Sequence, residues 1–88
     1  MQFRPPPTLT FSNAGQALEA GLRAIADGQA EIDLGEVAAV DSAAVATLLA
    51  WQRAARERGV SLRFLNMPAN LAGLAELYGV NRYLQPGA

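Results

Sequence analysis

Gly28, Gly59 and Gly79 each follow a stretch of helical periodicity, and a short alternating run precedes each stretch. Glycine is a preferred residue just past a helix end because it adopts the left-handed conformation without a steric cost. Three such units in sequence leave few folds open. They predict strand, helix, strand, helix, strand, helix, which is a layered α/β arrangement with right-handed crossovers.

The first unit begins after Pro5-Pro6-Pro7, which is held extended because each ring fixes its own φ and restrains the residue before it. Residues 1–7 therefore read as an extended, proline-rich lead. Alternation over 8–11 predicts a strand. Ser12 or Asn13 then stands as a helix cap, with Gln16 three residues beyond Asn13. Leu18, Leu22 and Ile25 share one face of a helix over 13–27. Residues 30–34 alternate as a second strand, and 35–40 form a mildly apolar connector. Asp41 and Ser42 offer capping side chains before a helix over 42–58, about 25 Å long at ~1.5 Å per residue. Its apolar stripe is Ala44, Val45, Leu48, Trp51 and Ala55. A third strand covers 60–65. Asn66 and Pro68 start a helix over 68–78 with Leu71, Leu74, Leu77 and Tyr78 on its apolar side. Residues 81–88 read as a tail suited to a short edge strand. No repeat or linker divides the 88 residues, so one domain over 1–88 is expected.

Composition narrows the chemistry. A chain of this size buries roughly 60–65% of the surface it exposes when unfolded, which leaves little room for a deep active site. Apolar residues make up 51% and charged residues 17%, a balance that suits a compact globule with an adhesive face. There is no Cys, so no disulfide and no thiolate nucleophile, and no His, the commonest general base and metal ligand. All seven basic residues are Arg, which excludes a phosphate-loop lysine and a Schiff base. No glycine-rich nucleotide fingerprint occurs. The net charge of −1 gives no footprint for nucleic acid or an anionic bilayer. No apolar run approaches the ~20 residues of a membrane span, and the amino-terminal residues lack a signal-peptide core, so no membrane insertion and a cytoplasmic location are expected. No cofactor is implied.

Four groups of residues stand out. Asp33, Glu36 and Asp41 could gather as carboxylates for a metal or for acid–base work, or serve as turn residues and solvated charge. Trp51 suits either the core or an interface. Arg53, Arg56 and Arg58 suit a phosphate or carboxylate partner, or a solvated face with an Arg53–Glu57 pair. Ser42 stands at a helix start, where free N–H groups and the positive end of the helix dipole meet a ligand or a docked protein. As a bare cap it contributes ~1 kcal/mol.

Ile32-Asp33-Leu34, Val40-Asp41-Ser42, the helix through Leu48-Leu49 to Arg58-Gly59 and the strand from Val60 to Phe64 together resemble the STAS domain family. The resemblance runs from about Thr8 to Leu84. It implies a small central mixed β-sheet with helices packed on it, and the N-terminal strands are shortened here. Ser42 matches the position that regulatory members phosphorylate. The short chain, the stretch from Leu71 to Val80 and the helix entry Thr10-Phe11-Ser12-Asn13-Ala14 are similar to the small STAS subunits of the Mla phospholipid transport system. That likeness implies a non-enzymatic accessory subunit bound to a cytoplasmic ABC ATPase and held at the inner membrane through the complex. Its contact would centre on Ser42 with Asp41, Ala43, Ala44, Val45 and Thr47. The regulatory branch implies instead an anti-sigma factor antagonist switched by a serine kinase. One departure is Ala44, where family members often carry Gly, and its methyl is expected to crowd a docked partner.

Overall fold

The computed structural model describes residues 2–84. In chain order the elements are β1 (Thr8–Leu9), α1 (Ala14–Ala26), β2 (Glu31–Asp33), β3 (Ala39–Val40), α2 (Ser42–Glu57), β4 (Arg63–Leu65), α3 (Ala69–Leu77) and a closing 3-10 turn (Asn81–Leu84). The α/β class and the three helices are as the periodicity implies.

Strand pairing is parallel throughout the described residues, where a mixed sheet was expected. β2 lies beside β4 with Ile32 opposite Phe64, and β1 lies beside β3 with Leu9 opposite Val40. A helix separates the partners in each pair, α2 in one and α1 in the other. Such crossovers deliver parallel neighbours, whereas antiparallel ones arise from hairpins.

The proline-rich lead joins the two ladders. The Phe3 N–H donates to the Glu31 carbonyl at 3.2 Å, and the Asp33 N–H donates to the Phe3 carbonyl at 2.9 Å. Ala30 and Leu34 bond β4 instead, so Phe3 occupies the opposite edge of β2. Further along, the Pro7 carbonyl accepts from Ala38 and Ala39 at 2.7 and 3.1 Å. Prolines contribute only carbonyls to a ladder, which limits this edge to isolated contacts rather than a continuous strand. Pro5 is fully buried and Phe3 partly so, which anchors an otherwise exposed lead to the core.

β1 stops at Leu9 rather than reaching Phe11. Asn13 is the cause. Its side-chain oxygen accepts from the Thr10 N–H at 3.0 Å and its amide donates to the Thr8 carbonyl at 2.6 Å. The side chain folds back onto the incoming turn and makes no cap bond to α1, so the expected capping box is absent.

Trp51 is at 0% exposure, which places it in the core rather than at a surface. Its Nε1–H donates to the Leu18 carbonyl at 3.0 Å, and Phe3 meets it edge-on with ring centroids 5.6 Å apart. A buried indole requires such a partner for its one donor. Gly21 on α1 lies against the ring, where a Cβ would overlap Nε1, Cε2 and Cζ2. The glycine lets α1 and α2 approach closely over the indole.

On α3 the buried positions are Leu71 and Ala75, while Leu77 is 75% exposed and Tyr78 is also exposed. The predicted apolar side is therefore turned toward Leu71 and away from Leu77. The helix is short, and Gly79, at φ 71°, redirects the chain at once. Residues 81–84 form a turn that plugs the core with Leu84, so the tail does not make the expected edge strand there. The remaining tail, 85–88, and Met1 lie outside the described residues.

Candidate functional site

The start of α2 is built by Asp41, not by Ser42. Asp41 is extended, at φ −143° and ψ −167°, and its Oδ1 accepts from the Ala43 N–H at 2.9 Å. That is the geometry of an N-cap, so the cap stabilisation assigned to Ser42 belongs to its neighbour. The second oxygen, Oδ2, accepts from the Phe11 N–H at 3.0 Å, across thirty residues of sequence. One carboxylate thus fixes the head of α2 and the entry to α1 together.

Two consequences follow for the surface. Ser42 becomes the first residue of the helix proper and is exposed. Phe11, held between Asp41 and the Asn13 turn, points outward and is 83% exposed. Behind them, Gly15 and Leu18 of α1 and Ala43, Ala46 and Ala50 of α2 line an open depression with no charged residue. Short side chains on both helices make it shallow and able to admit another surface closely.

The other residues expected at the contact divide. Ala43 is half-buried beside Ser42. Thr47 is 4% exposed and its hydroxyl donates to the Ala43 carbonyl at 2.7 Å, leaving it at the floor of the depression. Ala44 and Val45, at 0% and 4% exposure, are core residues and do not reach the surface. Helix periodicity explains this: within one turn, 44 and 45 share the stripe of Leu48 and Trp51, which faces the core. The methyl of Ala44 accordingly packs inward and does not crowd a partner.

Phe11 escaped the sequence reading because alternation with Leu9 assigned it to a strand. The turn composition of Thr10-Phe11-Ser12-Asn13 was the signal that it stood outside.

The three carboxylates do not converge on a common centre, and among the described residues no cluster suited to a metal ion occurs. Asp33 accepts from the Asn66 amide at 3.0 Å and the Gly35 N–H at 2.9 Å, with the Arg4 Nε at 3.5 Å. The Asn66 bond, then the Gly35 bond and then Arg4 hold its carboxyl below the usual aspartate range, with desolvation opposing them in part. It is a fixed anion that ties β2 to the turn after β4. Asn66 reaches it from a left-handed backbone, φ 57°, which asparagine tolerates better than most residues. Glu36 is exposed and apart from both aspartates' bonds.

Arg53 and Arg56 are exposed on the last turns of α2, and Arg58 is exposed at its C-cap. The expected Arg53–Glu57 pair is not formed. The ion pairs among the described residues are Arg4–Asp33 and Arg63–Glu31, the latter at 3.3 Å.

Comparison with known families agrees with this architecture. A family model described as "Mlab, STAS domain" matches residues 8–86. The chain belongs to this STAS family. No curated protein and no solved structure matches it. STAS domains are in general accessory or regulatory modules that act through other proteins. In this STAS domain the matched region holds the Asp41–Phe11 clip, Ser42 and the depression behind them. The bridge from Phe3 to Ile32 uses a residue ahead of it. Among the described residues no helix is long and apolar enough to cross a membrane.

Proposed function

We propose that this STAS domain is a non-enzymatic accessory subunit that binds the cytoplasmic ATPase subunit of a phospholipid-transporting ABC system. Such a system serves outer-membrane lipid asymmetry, and the domain sits at the inner membrane only through the complex. The observation that carries the reading is the surface at the head of α2. Exposed Ser42 precedes Ala43, which lines an uncharged depression, and the backbone of an 83% exposed phenylalanine is bonded to Asp41 at the same helix head. Interface centres are poor in charge and concentrate their energy in a few residues, aromatic ones above all. Phe11 supplies the aromatic, while Ser42, Ala43 and Thr47 allow close approach. Asp41 sets their geometry from below.

Co-purification with the ATPase subunit tests this. Ser42→Glu adds bulk and charge at the rim and should abolish the complex while the circular dichroism stays native. Phe11→Ser should weaken it by about tenfold or more, the loss of one buried aromatic anchor. Unchanged affinity in both folded variants would reject the reading.

The exposure of Ser42 also favours a second reading, an anti-sigma factor antagonist. Phosphorylation at Ser42 would place ~1.5–2 negative charges on the same face and repel a kinase partner. Intact mass from native cells separates the two: a phosphate on Ser42 supports the switch.

A further inference from the structure

The flank of α2 that meets the closing turn carries a different surface. Leu49, Gln52, Arg53 and Arg56 of α2 line a depression of about 280 Å³ with Val80 and Tyr83. Gln52 and Arg56 also line a neighbouring depression of about 190 Å³ that runs to the approach of β4. Gln52 is 8% exposed, and its carboxamide oxygen is buried without a hydrogen-bond partner. Leaving such a group unpaired is destabilising, so a polar residue here is a liability to the isolated fold. Arg53 and Arg56 make no ion pair among the described residues, and no carboxylate lines either depression.

We propose that this groove is a docking site for an extended acidic segment of a partner protein, with Gln52 pairing its backbone. A residue in an extended segment presents its own N–H and carbonyl on one edge, which matches a carboxamide in either of its two orientations. Arg53 and Arg56 take the carboxylates of the segment, where charge-assisted bonds are strongest. Leu49, Val80 and the Tyr83 ring receive an apolar side chain. An anionic lipid headgroup or free phosphate satisfies the arginines but presents no backbone edge of paired N–H and carbonyl to the carboxamide. The site lies on the opposite flank of α2 from the α1 depression and does not depend on the contact at Ser42.

The test is a titration of the isotope-labelled full chain, followed by amide NMR. The probe is the blocked peptide Glu-Leu-Asp-Leu-Glu, taken to millimolar concentration. Controls are its Gln/Asn counterpart, inorganic phosphate and phosphatidylglycerol vesicles. The acidic peptide should shift the Gln52 side-chain amide and the backbone amides of 49–56 and 80–83. Arg53→Gln with Arg56→Gln should weaken it at least about tenfold, and Ser42→Glu should leave it unchanged. Gln52→Leu should weaken the peptide while keeping or raising the melting temperature. A silent groove, an equal response to the uncharged peptide, or a response confined to phosphate or vesicles overturns the proposal. So does a loss of stability in Gln52→Leu, which would mean that the carboxamide is satisfied within the fold.

Discussion

Gly21→Ala sets two effects of opposite sign against each other. On helix propensity alone, alanine in the interior of α1 should stabilise the protein by ~1 kcal/mol. The tertiary contact predicts the reverse. A Cβ at position 21 would overlap three atoms of the Trp51 indole, of which even the farthest, Cζ2, lies only 2.7 Å away. That ring is fully buried and tied to the Leu18 carbonyl, so it cannot swing aside without giving up its one hydrogen bond. Overpacking costs ~1–3 kcal/mol, and stranding the buried indole donor costs ~1–3 kcal/mol more. After the propensity gain is subtracted, the net loss should be about 3 kcal/mol. At about 4–8 °C per kcal/mol for a domain of this size, the melting temperature should fall by more than ~10 °C. Gly73→Ala is the internal control, because nothing lies within 4 Å of its added methyl in the middle of α3. It should raise stability by ~0.5–1 kcal/mol. Thermal melts followed by far-ultraviolet circular dichroism and Trp51 fluorescence compare the two. If Gly21→Ala melts at or above the wild type, the account of α1–α2 packing is wrong.

Two further outcomes are expected. Asp41→Ala should cost ~1–2 kcal/mol in chemical denaturation, whereas Ser42→Ala should stay within about 0.5 kcal/mol of wild type, because Asp41 holds the cap and Ser42 does not. Equal losses in the two variants would refute that division. For Asp33, the native pKa lies below the unfolded one, so its contribution is present above about pH 4 and is lost as pH falls through the native value. The stability advantage of wild type over Asp33→Asn, measured by urea unfolding, should therefore hold from pH 7 to about 4.5 and shrink below about 4. An advantage independent of pH would show that the charge plays no part.

Much of the fold was legible because it is written in local patterns. Repeats of three and four residues marked α1 and α2, alternation marked β2 and β4, and Gly28, Gly59 and Gly79 marked the helix ends. All three glycines adopt positive φ, between 71° and 97°, the conformation that makes glycine worth placing there. Val45, Leu48 and Trp51 were assignable to one stripe from spacing alone, and all are buried. Ser42 was legible as the head of a helix.

What spacing could not settle were choices made between groups far apart in the chain. Whether Asp41 or Ser42 caps α2 depends on where the second carboxylate oxygen goes, and it goes to Phe11, thirty residues earlier. The exposure of Phe11 depends on Asn13 bending backward to the Thr8 carbonyl instead of forward onto its own helix. The parallel pairing of β1 with β3 follows from the crossover path, and the seating of Phe3 on β2 returns to the sheet a lead whose three prolines supply no N–H donor. Hydrogen-bonding side chains have several near-equal local partners, and a difference of ~1 kcal/mol from packing decides among them. Apolar periodicity has no such rival, since burying a face is worth several times more. Local spacing therefore marked the three helices, strands β2 and β4 and the inward stripe of α2, while long-range contacts chose the inward side of α3, the pairing of β3, which polar groups met and which aromatic was left facing outward.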